Sequence, residues 1–305
     1  MTDILHVAPE VDAALRDGRP VVALESTLIT HGLPWPENAA TALAMEAAVR
    51  ESGAVPATIA VLGGRITVGL APDQIEDLAQ RPPGSVRKCS RRDLPIVVAR
   101  GDDGATTVAG TMIVAHRAGI RVFGTGGIGG VHRGAPFDVS ADLMELGRTP
   151  VAVVCAGPKA ILDLPLTMEV LETHGVPVIG LGTDTLPGFY TRSSGLPIDL
   201  RVETPRDVAT VIAAAELIDA RHGVLVVVPV PASGELAGDV DGAIERAVAD
   251  AEAQGIRGKA VTPFLLKRVS ELSGGASQRA NQTLLVHNAR TAGLIARELT
   301  GLQGK

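Results

Sequence analysis

Val151-Ala152-Val153-Val154-Cys155-Ala156-Gly157-Pro158-Lys159 is the stretch on which the reading of this chain turns. Five apolar residues make a run of the length and composition of a buried strand. The turn Ala156-Gly157-Pro158 ends it and is followed by one of only five lysines in the chain. Ligands of open α/β sheets gather at the carboxyl ends of strands. A lysine shielded from water there loses part of its preference for the charged form, and the neutral amine can attack an aldehyde to give a Schiff base. The plainer alternative is a lysine near a helix start with its ammonium in solvent.

Working outward, strand-like segments recur at residues 20–25, 58–62, 121–123, 176–180 and 224–230. Helical patterns lie between them at 36–52, 107–118, 140–146, 160–174, 204–221 and 238–254. This alternation predicts an α/β fold. Two more helices are expected at the end, at 262–272 with Thr262 as N-cap and Pro263 in the first turn, and at about 283–299. No Ser/Gly-rich linker, charge block or fixed-period repeat divides residues 1–305, so one α/β domain is expected, with the last helices on its flank or against a neighbouring subunit.

Composition narrows the partners. Of 305 residues, 46% are hydrophobic and 20% charged, enough apolar material for a sizeable interior. Aromatics are only 2%, so platforms for stacking nucleic-acid bases are scarce. A net charge of −6 argues against a broad polyphosphate-binding surface, while a small phosphorylated metabolite remains compatible. The polar start lacks the blocks of a secretory signal, and residues 223–230 fall far short of the roughly 20 residues a membrane helix needs. Cys89 and Cys155, far apart in sequence, suit a reducing compartment and packing roles. A soluble, cytoplasmic protein with neither nucleic-acid nor membrane partners is expected.

Several residues could carry chemistry. Glu25 closes the apolar run Val21-Val22-Ala23-Leu24, and a carboxyl buried at such a strand end can stay protonated for general acid/base work. Asp138 and Asp142 flank Ser140, which is placed as a helix N-cap. Offsetting the helix dipole is the ordinary reading, and a hard divalent cation held by two carboxylates and waters is the functional one. Gly124-Thr125-Gly126-Gly127-Ile128-Gly129 fits G-x-G-x-x-G, but the loop runs on to Pro136, whereas a dinucleotide site needs its glycines to open a helix at once. Here the glycines are expected to let backbone amides approach a small ligand. Lys88, Arg91 and Arg92, ahead of a strand-like Ile96-Val97-Val98, read either as a solvated face or as a clamp for one phosphate, joined by amides of the helix that starts after Thr107 and Val108. His132 could contact a ligand within the glycine loop, and His31 could orient Glu25 or cap a turn.

Together, Leu24-Glu25-Ser26-Thr27 with His31-Gly32, Ser90-Arg91-Arg92-Asp93-Leu94-Pro95, the run from Gly126 to Gly134, and Cys155-Ala156-Gly157-Pro158-Lys159 resemble the pseudouridine-5′-phosphate glycosidase family. That family also includes proteins named after indigoidine synthesis. The resemblance runs from about residue 5 to 299 and takes in Thr262-Pro263-Phe264-Leu265-Leu266 and Asn281. It implies a three-layer α/β/α fold around a mixed central sheet, a homotrimer, and Mn²⁺ as cofactor. The implied reaction is reversible cleavage of the carbon-to-carbon glycosidic bond of pseudouridine 5′-phosphate to uracil and ribose 5-phosphate, the work of a lyase. By the same matching Lys159 is the nucleophile and Glu25 the proton donor. Asp138 holds the metal, and Lys88, Thr107 and Val108 line the substrate site. Ser140, Ala141 and Asp142 contact substrate, while Thr125, His132 and Asn281 recognise uracil or ribose. The competing readings are a Schiff-base aldolase or lyase on another phosphosugar, which would also use Lys159, and a phosphosugar-binding protein without catalysis.

Overall fold

In the computed structural model, which describes residues 4–303, the strand expected at 151–155 forms as Ala152–Cys155 inside an 11-stranded sheet. Residues 1–3 of the polar start lie outside the described residues. The main path of the sheet runs, in space, Leu5–Val7, Arg65–Val68, Val55–Leu62, Val21–Glu25, Val122–Gly124, Ala152–Cys155, Val224–Val227, Val178–Leu181 and Leu200–Val202. From Val55–Leu62 to Leu200–Val202 every neighbouring pair is parallel. The Val55–Leu62 and Arg65–Val68 pair is an antiparallel hairpin, which makes the sheet mixed. Its two-residue turn is Gly63-Gly64 with φ of 53° and 77°, the positive values that this tight connection demands. Gly104–Thr106 and Arg87–Cys89 branch from Val55–Leu62.

The continuous apolar runs follow from burial on both faces. Val22, Leu24, Ala152, Val154, Val224 and Val226 face one core, and Val21, Ala23, Val153, Cys155, Leu225 and Val227 face the other. This is the two-residue alternation of a strand. Helices Glu37–Glu51, Pro205–Leu217 and Ala276–Gln303 cover the first face through Met45, Val208 and Ile295. Helices Pro9–Arg16, Val108–Ala118 and Ala141–Leu146 cover the second through Val11, Met112 and Leu143. The result is the three-layer α/β/α arrangement around a mixed sheet.

Four local expectations change. Ile96-Val97-Val98 lies inside the helix Leu94–Arg100, with Pro95 in its first turn and Gly101 closing it in a left-handed conformation. Consecutive β-branched residues mimic a strand, but only one side of this short helix is buried, at Leu94 and Val97, and Ile96 faces outward. The helix expected at 160–174 starts only at Leu164, capped by Asp163, because Leu162–Asp163 is drawn into pairing with Val131–His132. Thr262 is not an N-cap, since the helix Val261–Leu272 begins one residue earlier behind the turn Gly258–Ala260. The last helix spans Ala276–Gln303 and is longer than the expected 283–299, because its apolar side packs on the core from Ala280 and Leu302 still lies against it.

A second, three-stranded antiparallel sheet orders Leu162–Asp163, Val131–His132 and Ala135–Val139. Its strands continue the segments that leave Val122–Gly124 and Ala152–Cys155, so it stands over their carboxyl ends.

Candidate active site

Glu25 ends the strand Val21–Glu25, Thr125 directly follows Val122–Gly124, and Lys159 lies four residues beyond Ala152–Cys155. These strands are parallel neighbours, so the three side chains leave the sheet at one end. Glu25 is buried and its carboxylate accepts a short hydrogen bond from the Thr125 hydroxyl. Burial pushes the Glu25 carboxyl up, and Asp142 adds to the rise; Lys159, the Thr125 bond and Lys88 offset part of it. The half-buried Lys159 donates from Nζ to the Gly127 carbonyl at 2.9 Å. Arg133 braces the lysine turn from below, donating to the carbonyls of Ala160 at 3.0 Å and Leu162 at 3.1 Å.

These groups open on a cavity of about 620 Å³. Lys88 enters it from the short strand Arg87–Cys89, beside Arg91 and Arg92. Thr107 and Val108 form its wall at the start of the helix Val108–Ala118. The Thr107 hydroxyl caps that helix, accepting from the Gly110 amide, and Asp142 accepts from the Ala109 amide at 2.9 Å. Two of the amides expected to meet a phosphate are therefore engaged by protein groups.

Glu145 shapes the basic side of the cavity. Its carboxylate is fully buried and accepts from Arg91 Nε at 2.8 Å and Nη2 at 2.5 Å, from Arg148 at 3.2 Å, and from Thr149. Burial acts to raise its pKa, but the bonds from Arg91, Thr149 and Arg148 outweigh it and hold the carboxyl below its usual range. Arg148 lines the cavity and went unnoticed in the sequence, as did Phe189, whose backbone is left-handed at φ 68°. Neither carries a local motif that marks it.

Ser140, Ala141 and Asp142 line the cavity next to Val108, where the helix Ala141–Leu146 begins. Ser140 is its N-cap, accepting from the Asp142 amide at 3.2 Å. The second Asp142 oxygen accepts from the Gly129 amide at 2.9 Å, so this carboxylate ties the glycine loop to the Val108–Ala118 helix. A Cβ on Gly129 would meet Ser140 Oγ at 2.3 Å, and one on Gly127 would meet Phe189 at 2.6 Å. The glycines at these two positions admit protein groups rather than simply clearing space for a ligand.

Asp138 is exposed, on the strand Ala135–Val139, and faces the cavity with His132. Burial lowers the His132 pKa; Asp138 opposes that effect, while Lys88 and Lys159 add to it. Asn281 enters from the helix Ala276–Gln303. His31 lines the cavity and pairs with Thr30 at 2.6 Å. Cys155 is buried beneath the site, its thiol pushed up to about 12 by burial, as suits a packing residue.

Of the two carboxylates in the metal reading, Asp142 is engaged in bracing the fold, with one backbone amide on each oxygen. Among the described residues no group of three or more His, Cys, Asp and Glu could hold a metal ion. One open carboxylate, Asp138, suits a hard cation that keeps most of its waters and takes further oxygens from substrate.

The sequence profile of the indigoidine synthase A like proteins matches residues 10–298. The chain belongs to the indigoidine synthase A-like family. Among its relatives is a pseudouridine-5′-phosphate glycosidase of Hahella chejuensis, 53% identical over 299 residues that cover 97% of this chain and 98% of the relative. The protein of the same name from Escherichia coli K12 is 52% identical over 305 residues, covering 99% and 97%. A crystal structure of the prealnumycin C-glycosynthase in complex with ribulose 5-phosphate superposes with a TM-score of 0.89 at 42% identity, covering 98% of each chain. An indigoidine synthase A-like protein of Thermotoga maritima gives 0.88 at 35% identity, covering 97% of this chain and 96% of the other. Among the described residues, no helix of this family member is long and apolar enough to cross a membrane.

Proposed function

We propose that this chain is a pseudouridine-5′-phosphate glycosidase that works through a Schiff base on Lys159. The observation that carries the reading is the convergence of a buried acid, Glu25, and an amine, Lys159, at one end of parallel strands, with cationic side chains across the same cavity. Relatives above 50% identity over nearly the whole chain bear that name.

The chemistry needs both groups. Once Lys159 has lost a proton, its Nζ attacks C1′ of the ribose; the N–C1′ bond forms, the C1′–O4′ bond breaks, and O4′ takes a proton. The nitrogen lone pair then forms the C=N bond as the bond from C1′ to the uracil ring breaks, and Glu25 delivers a proton to the ring carbon that leaves. Glu25 suits this task because burial favours its protonated form. Water adds to the imine, ribose 5-phosphate departs, and the amine is restored. The Gly127 carbonyl keeps Nζ aimed across the cavity. In this reading Lys88 and Arg91, with Thr107 and Val108, receive the phosphate. Thr125, His132 and Asn281 meet the base or sugar, and Ser140, Ala141 and Asp142 border the substrate.

Asp138 would hold Mn²⁺, which when bound supplies a positive charge that neutralises and orients substrate oxygens. A cytoplasmic homotrimer belongs to the same proposal. Fully exposed Phe137 and half-exposed Met144, on elements beside the cavity, offer apolar surface that another copy would cover. The mass in solution by analytical ultracentrifugation tests this.

The reaction is tested by incubating the protein with pseudouridine 5′-phosphate and measuring uracil, and by borohydride reduction with ribose 5-phosphate followed by peptide mass analysis. Uracil release and a sugar adduct on Lys159, absent from Lys159→Ala, are expected. Cleavage of a sugar skeleton with no uracil turnover would favour an aldolase, and binding without turnover a silent phosphosugar protein.

A further inference from the structure

Residues 125–127 hold both reacting groups in succession. The Thr125 side chain holds Glu25, and the Gly127 carbonyl holds Lys159. The backbone between them is gripped from behind. Asn288, fully buried on the helix Ala276–Gln303, donates from Nδ2 to the Thr125 carbonyl at 2.9 Å and to the Gly126 carbonyl at 3.3 Å. Leu285, one turn earlier on that helix, lines the cavity, and Asn288 packs behind this wall. The contact is close along its length. A Cβ on Gly124 would meet Ala292 at 3.1 Å, and one on Gly126 would meet Leu285 at 3.0 Å.

The surroundings of Asn288 are apolar: Leu284, Leu285, Ala289 and Ala292 are all buried beside it on the helix. Its Oδ1 is the one buried side-chain N or O atom without a hydrogen-bond partner among the described residues. A leucine there would keep the same branched shape, with bulkier methyls, and carry no orphaned oxygen, so an apolar site by itself does not call for asparagine. What only the carboxamide supplies is the forked grip on two carbonyls. Reversing the amide would set its oxygen against those carbonyl oxygens, which fixes its orientation.

We propose that Asn288 is a positioning residue which, by pinning the Thr125–Gly126 backbone, fixes the spacing between Glu25 and Lys159 in the glycosidase reaction. This rests on the reaction assigned above. The Ala156 amide also holds the Gly126 carbonyl, at 2.9 Å, so loss of the carboxamide frees chiefly the Thr125 carbonyl, at the residue whose side chain holds Glu25; a displacement of about 1 Å in reacting groups costs on the order of 10²-fold in rate.

The test compares Asn288→Leu with Asn288→Gln, measuring kcat and KM for uracil release from pseudouridine 5′-phosphate, with the thermal midpoint of each variant. In Asn288→Leu that stays folded at the assay temperature, kcat should fall about 10- to 100-fold with KM changed by less than about threefold. Asn288→Gln, overlong but still a carboxamide, should keep the higher kcat. A role in packing alone gives the opposite order, so a folded Asn288→Leu with kcat equal to or above that of Asn288→Gln overturns the proposal, as does a change in KM alone. Asn288→Ala is judged by the same kcat and KM criteria if either variant does not fold. A wild-type protein that releases no uracil overturns the assigned reaction and this inference together, whereas an active wild type with insensitive variants overturns this inference only.

Discussion

Replacement of Asp142 by Asn should cost a large part of the stability of the fold. Asp142 is buried, and its two oxygens take the amides of Ala109 and Gly129 at 2.9 Å each. Asparagine keeps one acceptor and turns an NH2 toward the other amide. One buried N–H then loses its partner, at about 1–3 kcal/mol. Loss of a negative charge at the start of Ala141–Leu146 and close to the start of Val108–Ala118 adds about 0.3–1 kcal/mol. The sum, about 1.3–4 kcal/mol, is a large part of the roughly 5–15 kcal/mol by which a folded chain exceeds its unfolded state. Asp142→Ala should cost more, because both amides lose their acceptor. Urea unfolding followed by circular dichroism at neutral pH reads the difference, with the exposed Asp138→Asn as a control expected within about 0.5 kcal/mol of wild type. If Asp142→Asn also unfolds within about 0.5 kcal/mol of wild type, the idea that this carboxylate braces the glycine loop is refuted.

Glu25→Gln should retain the borohydride-trapped adduct on Lys159 while uracil release falls about 10²- to 10⁴-fold, since it removes the proton donor and leaves the nucleophile. Because burial raises the Glu25 pKa, the wild-type alkaline limb of kcat should lie above the usual carboxylate range, with activity falling as pH rises through the raised value. Linkage gives the matching stability: the unfolded chain ionises at lower pH than the folded one, so Glu25 destabilises the fold increasingly as pH climbs between the two, and Glu25→Gln should be the more stable protein at pH 8. Glu145 has the opposite sign. Its folded pKa is depressed, so its stabilisation is present above the unfolded value and lost as pH falls through the folded one; acid unfolding of Glu145→Gln should lack that component. Asp138→Ala should weaken Mn²⁺ binding, read by electron paramagnetic resonance of the free ion, and leave the Lys159 adduct intact. Unchanged Mn²⁺ affinity would remove Asp138 from the proposed metal site.

The local signals in this sequence gave reliable local structure. Apolar runs such as Val151 to Cys155 became central parallel strands, because a strand covered on both faces needs apolar residues at every position. Ser140 became an N-cap, since a hydroxyl before a helix satisfies amides within three residues of itself. The motif positions Glu25 and Lys159 were legible too, each at the exit of an apolar run. Where local signals conflicted, helix start and stop residues or distant contacts decided. Ile96-Val97-Val98 has strand-like residues but lies between a proline start and a glycine stop in a helix, and Leu162–Asp163 pairs with the distant Val131–His132 before its helix can begin.

Other features had no sequence signature. Arg148 joins the cavity only because buried Glu145 holds it alongside Arg91, 57 positions earlier, and Asn288 reaches Thr125 across 163 residues. Strand order brings Glu25 beside Thr125 and opposite Lys159, although 134 positions separate acid and amine in the chain. The sequence by itself determined the central strands, most of the long helices and which residues carry reactive groups, because periodicity, caps and side-chain chemistry act within a few residues. Only the tertiary structure decided which of those groups meet and which carboxylate is already taken, because burial and hydrogen-bond partners are set by contacts between segments that no local spacing records.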